Sequence, residues 1–224
     1  MPHAFHRLRR ARLLQATRPF KARGHSLVRC ERCFIAAELC VCHIIEPMES
    51  ALDFVLLLHR DEILKPTNTG RLIADILPNN THAFAWQRLE LAPELEGLLA
   101  DPKRCCALVF PDAQAQPVAQ LQQQAQANQQ TLTLILLDGT WKQARKMNNS
   151  SPDLAGLPRV ICQPSTQGEY SLRKAAHAGC LSTVEAAIDI LEELKERAAP
   201  RLQQYFRLFN QHYLASRGLR GDSA

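Results

Sequence analysis

The stretch Leu134-Ile135-Leu136-Leu137-Asp138-Gly139-Thr140-Trp141-Lys142 places a carboxylate where an apolar run gives way to a basic helical pattern. In open α/β folds, ligands gather outside the carboxyl ends of the strands, so an acid there can accept a proton or orient a polar substrate. Asp138 has a second reading, as a cap for the helix predicted to start near Trp141, because Asp and Thr both cap well. Lys142, Arg145 and Lys146 follow on the first turns, either holding an anionic substrate or forming a solvated charged face. Trp141 can stack on a base or pack under the strand end.

Two further clusters carry polar chemistry. His59 falls at the carboxyl end of another apolar run and opens His59-Arg60-Asp61-Glu62, followed by Pro66-Thr67-Asn68-Thr69-Gly70-Arg71. The Asn-Thr-Gly turn offers backbone amides to a phosphate or carboxylate, or is simply a hydrogen-bonded turn. Tyr170-Ser171-Leu172-Arg173-Lys174 sets two cations beside a tyrosine, a pairing that suits phosphate contact. The chain has no Gly-x-Gly-x-x-Gly, no Walker loop and no Gly-x-Ser-x-Gly, so NAD, ATP and acyl-serine chemistry lose most of their support.

Four of the eight cysteines read Cys30-x2-Cys33-x6-Cys40-x-Cys42. Without an export signal, such clustering reads as a metal site, and four thiolates suit the closed tetrahedral shell of structural zinc. Cys105, Cys106, Cys162 and Cys180 stand apart from the cluster and read as core packing.

Residues 1–29 hold eight basic side chains and no acid, leaving 19 basic against 22 acidic residues in the remainder. A basic arm on a near-neutral body favours a polyanion, most directly nucleic acid, with a solubilising tail as the other reading. No apolar run is long enough to span a membrane and no signal-peptide core follows the basic start, so the expected compartment is the cytoplasm.

The body alternates strand and helix patterns. Strands are predicted at Leu52–Leu58, Cys106–Phe110 and Leu132–Leu137, with weaker ones at Ala83–Gln87 and Arg159–Cys162. Helices are predicted over 69–77, 114–128, 141–148, 182–198 and 200–215. This alternation predicts an α/β domain with a mainly parallel sheet. Ser182-Thr183-Val184-Glu185 has capping-box spacing. Tyr205, Phe206, Phe209 and Tyr213 recur at core spacing on the last helix. The chain divides into a basic arm (1–29), a zinc knuckle (30–46), a catalytic body (47–216) and a polar tail (217–224).

The cysteine pattern, His59-x-x-Glu62 with Asn68-Thr69-Gly70-Arg71, Leu137-Asp138-Gly139-Thr140-Trp141, Leu172-Arg173-Lys174 and Leu181-Ser182-Thr183-x-Glu185-Ala186 occur in this order. Together they resemble the DTW-domain proteins, the tRNA-uridine aminocarboxypropyltransferases, over most of the chain from Cys30 to the Ser182 helix. The resemblance implies a branch of the SPOUT superfamily, with a parallel sheet and a C-terminal trefoil knot. It implies transfer of the 3-amino-3-carboxypropyl group from S-adenosylmethionine to N3 of a tRNA uridine (position 47 in bacterial relatives), with release of methylthioadenosine. Catalytic work then falls to Asp138, Thr140 and Trp141. The donor is expected against Phe110, Pro111, Asp112, Leu136, Leu137, Leu181, Ser182 and Thr183. Substrate contacts are expected from His59, Glu62, Asn68, Thr69, Arg71, Lys142, Arg145, Arg173 and Lys174, and structural Zn2+ at Cys30, Cys33, Cys40 and Cys42. The expected partner is tRNA, with neither a membrane nor an obligatory protein partner indicated. A SPOUT-type RNA methyltransferase and a non-catalytic zinc-containing RNA-binding module remain the alternatives.

Overall fold

The centre of the sheet is built from largely apolar runs that are buried on both faces, the pattern of parallel strands covered by helices. The structure, a computed structural model, describes residues 2–17, 27–88, 90–161 and 181–218. Among these, the strands are β1 (Asp53–Leu58), β2 (Thr81–Ala85), β3 (Arg104–Val109), β4 (Gln116–Pro117), β5 (Thr131–Asp138) and β6 (Arg159–Ile161). They form one sheet in the order β2-β1-β5-β3-β6-β4, with every pair parallel. The five strands predicted from sequence are all present, within two residues at most ends. The knot expected in the C-terminal part involves the passage from β6 onward, and residues 162–180 lie outside the described residues.

The helices are α1 (Ala4–Leu14), α2 (Gly70–Ile76), α3 (Pro93–Ala100), α4 (Val118–Ala127), α5 (Trp141–Asn149), α6 (Pro152–Ala155), α7 (Thr183–Glu193) and α8 (Ala198–Gly218). Alternate residues of β1 feed two cores. Phe54, Leu56 and Leu58 join apolar residues of α2, α4, α7 and α8, whereas Val55 and Leu57 join Leu95 of α3, Met147 of α5 and Leu154 of α6. The crossovers from β1 to β2 and from β3 to β5 run the same way along the sheet and carry α2 and α4 on one face. Those from β2 to β3 and from β5 to β6 run back and carry α3, α5 and α6 on the other. A single crossover handedness requires this division. Because all the strands are parallel, their carboxyl ends lie along one edge.

Helix α1, which the charge pattern did not predict, folds the start of the basic segment onto the body. Phe5 is fully buried in the α2/α8 core. His3 Nε2 lies 3.1 Å from Asp75 Oδ1, Arg32 Nε donates to the same oxygen at 3.1 Å, and Tyr205 OH donates to Oδ2 at 2.9 Å. Burial pushes the Asp75 carboxyl up, but the hydrogen bond from His3 and the positive charges of His3, Arg71 and Arg32 hold it below its ordinary range. His3, His6 and Asp75 bring three potential ligand atoms within 4.8 Å of one another. Both Asp75 oxygens are already engaged and two guanidinium groups act on the carboxylate, so the cluster reads as an anchor for α1 and not as a cation site.

The anchor is pH-sensitive. Burial, reinforced by the charge of His3, lowers the pKa of His6 from its ordinary 6.5 to about 4. Between those values the unfolded chain binds a proton that the folded chain refuses, so stability is full above 6.5 and is lost as the pH falls toward 4. Amide exchange from α1, corrected for its intrinsic pH dependence, is expected to accelerate across this window. His6→Gln should flatten the response.

Candidate active site

Along the carboxyl edge of the sheet, in spatial order, stand Trp86 after β2, His59 after β1, Asp138 at the end of β5 and Phe110 after β3. The ends are stitched together by backbone: Trp86 N–H donates to Leu58 O at 2.7 Å, His59 N–H to Asp138 O at 2.9 Å and Phe110 N–H to Val160 O at 3.2 Å. Asp138 is only 4% exposed. Its Oδ2 accepts a hydrogen bond from Asn68 Nδ2 at 3.0 Å. Asn68 is oriented in turn, because its Oδ1 accepts the Arg71 backbone N–H at 3.1 Å, and the amide nitrogen must then face the carboxylate.

Asp138 is not the helix cap. Thr140 is the N-cap of α5: its Oγ1 accepts from Gln143 N–H at 3.3 Å, and Gln143 Oε1 accepts from Thr140 N–H at 2.7 Å. The carboxylate instead lies against the Asn68-Thr69-Gly70 turn. That turn is buried, so the anion it meets is the protein's own and not an external phosphate. A Cβ built on Gly70 would overlap Asp138 Oδ2 and come within 3.3 Å of Cγ. Gly70→Ala is expected to push the carboxylate out of position and to break its hydrogen bond with the buried Asn68 amide, a cost of about 1–3 kcal/mol that offsets the gain of about 1 kcal/mol from alanine's helix propensity. The expected result is a loss of activity of about 100-fold, the scale of a 1 Å misplacement of a reacting group, with a modest fall in melting temperature. Activity assays set beside a thermal melt check this; a fully active alanine variant would mean that Asp138 tolerates displacement.

Aromatic pairs stand at the strand ends on either side of β5. Phe110 and Trp141 stack at 5.5 Å with planes 5° apart, and Arg145 lies 5.8 Å over the Trp141 ring. On the other side His59 stacks on Trp86 at 5.9 Å and 23°, and Trp86 Nε1 donates to Ser151 Oγ at 2.9 Å. Lys142 and Arg145 are exposed on α5, Pro111 and Asp112 are exposed beyond β3, and Asp112 Oδ1 accepts from Gln114 N–H at 2.9 Å. Leu181, Ser182 and Thr183 are half-buried at the start of α7, where Ser182 N–H donates to Glu185 Oε2 at 2.7 Å in the predicted capping box.

Other expected site residues sit elsewhere. Arg71 is fully buried, so the substrate contact expected of it does not fit its position. Its guanidinium lies between the rings of Phe34 (4.9 Å) and Phe209 (4.6 Å), and Nη2 donates to Cys33 O at 2.6 Å. It ties α2 to the cysteine segment and α8. Glu62 is also fully buried, bound to Lys65 Nζ at 2.8 Å. Thr69 is buried at the α2 cap, and the Leu136 side chain belongs to the core; Leu137 is half-buried on the opposite face. Arg173 and Lys174 lie outside the described residues, as do Cys162 and Cys180. Sequence reading missed Gly70, Gln143 and Trp86 as site residues, although Thr140-x-x-Gln143 is a legible capping box.

The four clustered cysteines form a compact set. Cys30 and Cys42 sulfurs are 3.6 Å apart, Cys33 and Cys40 3.8 Å, and Cys40 and Cys30 3.4 Å. These are too long for disulfides, and all four thiols are free. A tetrahedral ion with bonds of about 2.3 Å to sulfur has edges of about 3.8 Å, so the donor set fits a zinc-sized ion. A hydrogen bond from Cys42 lowers the Cys33 thiol to about 5, giving the set a thiolate. The turn between Cys30 and Cys40 is tight: Phe34 N–H donates to Cys30 O and Cys30 N–H to Ile35 O, both at 2.9 Å, and Phe34 adopts φ 58°. Arg9, 4.1 Å from the centre of the Phe34 ring, and Arg29, donating to Phe34 O at 2.9 Å, brace this left-handed residue. Part of the basic segment therefore serves the fold.

Comparison with known proteins places the chain among others. The chain is 28% identical over 182 residues to the tRNA-uridine aminocarboxypropyltransferase 2 of Drosophila melanogaster, covering 79% of this chain and 69% of the relative. It is 25% identical over 216 residues to the tRNA-uridine aminocarboxypropyltransferase A of Arabidopsis thaliana, covering 83% and 81%. No solved structure gives a significant match. The DTW domain family matches residues 27–214, from the cysteine turn through the Asp138 edge and almost to the end of α8, and the chain belongs to that family.

Proposed function

We propose that the protein transfers the 3-amino-3-carboxypropyl group from S-adenosylmethionine to N3 of a uridine in tRNA, releasing methylthioadenosine. The observation that carries this reading is Asp138: a buried carboxylate, oriented by Asn68, at the carboxyl edge of a parallel sheet whose neighbouring strand ends carry aromatic pairs. The names of relatives at 25–28% identity supply the reaction class.

The sulfonium of S-adenosylmethionine supplies the leaving group. Asp138 meets the remaining demand, removal or orientation of the N3 proton so that the nitrogen lone pair can attack the γ-carbon. A bond forms between N3 and that carbon as the carbon–sulfur bond breaks, and the N3 proton goes to the carboxylate. The Phe110/Trp141 face offers a flat surface for an adenine or uracil ring, and the cationic α5 residues Lys142 and Arg145 suit the phosphates beside it. Thr140 holds α5 in place through its cap. The loop after β3 (Phe110, Pro111, Asp112), the stretch Leu136 to Trp141, and Leu181 to Thr183 are assigned to the donor. Uridine 47 of the variable loop is the assigned position.

Structural Zn2+ is assigned to Cys30, Cys33, Cys40 and Cys42, and this segment together with the exposed arginines of α1 is assigned to gripping tRNA away from the chemistry. Among the described residues no helix is long and apolar enough to cross a membrane. Free thiols suit a reducing compartment, and the cytoplasm is assigned.

The test is incubation of the purified protein with tRNA and S-adenosylmethionine, followed by mass analysis of both products. Methylthioadenosine together with an aminocarboxypropyl-uridine is expected. S-adenosylhomocysteine with a methylated nucleoside would overturn the assignment in favour of methyl transfer.

A further inference from the structure

His59 sits in a hydrogen-bond arrangement that decides which ring nitrogen carries the proton. Gln143 Oε1 accepts from the Thr140 backbone N–H at 2.7 Å, and that group can only donate. The amide of Gln143 therefore has one orientation, with Nε2 turned toward His59 Nδ1 at 3.1 Å. The Asp61 backbone N–H is also directed at Nδ1, at 3.3 Å. With two donors converging on it, Nδ1 must supply its lone pair, and the proton of the neutral ring resides on Nε2. The Asp61 carboxylate, 3.5 Å from Nδ1 and more than half exposed, is beyond good hydrogen-bonding distance and competes weakly.

The ring is also fixed in direction. It stacks on Trp86, which is held through Ser151 Oγ, and that hydroxyl donates to Met147 O at 2.7 Å. The His59 backbone N–H binds the Asp138 backbone carbonyl at 2.9 Å, which holds the residue that follows β1 against the end of β5. Among the described residues no hydrogen bond is made to Nε2, and the side chain keeps 13% exposure.

We infer that His59 is a neutral Nε2–H donor to a carbonyl oxygen of the target uridine, with Gln143 as the positioning residue that sets its tautomer. The inference rests on the proposed transfer to N3. When N3 loses its proton, the negative charge spreads onto O2 and O4. A preorganised N–H at one of these oxygens stabilises that anion, whereas the opposite tautomer would present a lone pair and repel it. His59 neither gains nor loses a proton in the step: the N3 proton passes to Asp138, the N3–carbon bond forms, and the carbon–sulfur bond breaks.

Nitrogen NMR on histidine-labelled protein reads the tautomer directly. In the wild type, Nδ1 of His59 should resonate as an unprotonated nitrogen and Nε2 as a protonated one. Gln143→Glu keeps the capping box, because glutamate is at home at that position, but replaces a donor with an acceptor and should draw a proton to Nδ1. A protonated Nδ1 in the wild type overturns the inference.

Kinetics test the role. His59→Ala should lower kcat about 100-fold, the effect of losing one donor to a developing anion, with KM for the methionine donor little changed. His59→Gln, which retains an N–H, should lose less. Transfer to tRNA made with 5-fluorouridine, whose imide is more acidic, should restore about 10-fold or more of the alanine variant's loss, a rescue that a purely structural role would not produce. Equal loss on both tRNAs removes the donor role. If the wild type makes no aminocarboxypropyl-uridine, the proposed function fails and the donor role fails with it, while the NMR result still reports the tautomer independently.

Discussion

Asp138→Asn is expected to reduce aminocarboxypropyl transfer by about 10³-fold while leaving tRNA binding and the fold intact. The asparagine oxygen can still accept from Asn68 Nδ2, so the geometry around the turn survives and only the charge and basicity are lost. Asp138→Ala is the poorer variant, because it strands the buried Asn68 amide at a cost of about 1–3 kcal/mol and mixes stability with chemistry. Single-turnover rates with saturating tRNA, set beside a gel-shift affinity, separate the two contributions. A variant that keeps a tenth or more of the rate would reduce the carboxylate to an orienting group. Loss of binding along with rate would point to a role in holding RNA.

The largest effect on stability is expected at the cysteine cluster. Cys33 is fully buried, and its carbonyl receives the buried Arg71 guanidinium. Phe34, the next residue, is packed between Arg9 and Arg71. Releasing the ion would therefore loosen more than the turn itself. The Arg71 charge would lose its carbonyl partner inside the core, and α1 would lose part of its seat. Structural zinc sites contribute about 10–16 kcal/mol of apparent binding free energy in isolated peptides, and a zinc bound at these four thiols would supply part of that as folding energy. Cys33→Ser is expected to lower the melting temperature by about 10 °C, which corresponds to about 3–5 kcal/mol in a chain of this size. Calorimetry together with elemental analysis checks this: one zinc per chain in the wild type, and less than one in the variant. Cys105→Ser, outside the cluster, should leave the metal content unchanged.

Local pattern was enough for the sheet. β1, β3 and β5 are largely apolar because helices cover both their faces, and such runs are legible without any tertiary information. The capped start of α7 and the aromatic spacing of α8 were legible for the same reason, since periodicity and capping are local. Short α3 and α6 escaped because eight and four residues give too little periodicity to register. Helix α1 escaped for a different reason. Its arginines dominate its composition, while its docking depends on Phe5, His3 and a partner, Asp75, seventy-two residues further along the chain. Arg71 was misplaced because arginine is almost never fully buried, and only the facing rings of Phe34 and Phe209 show why this one is.

By itself the sequence determined that a carboxylate stands at the end of a buried strand and that four thiols cluster within thirteen residues, because strand pattern and ligand spacing are properties of neighbouring residues. The tertiary structure decided which groups meet Asp138. It sets Asn68 on the carboxylate, clears room for it at Gly70, places Trp86, His59 and Phe110 along the same edge and gives the helix cap to Thr140. It also decided that Gln143 reaches His59 across 84 residues of chain and so fixes a proton on one nitrogen. Contacts of that length arise from the order in which strands pair, and strand order is not written in any local pattern.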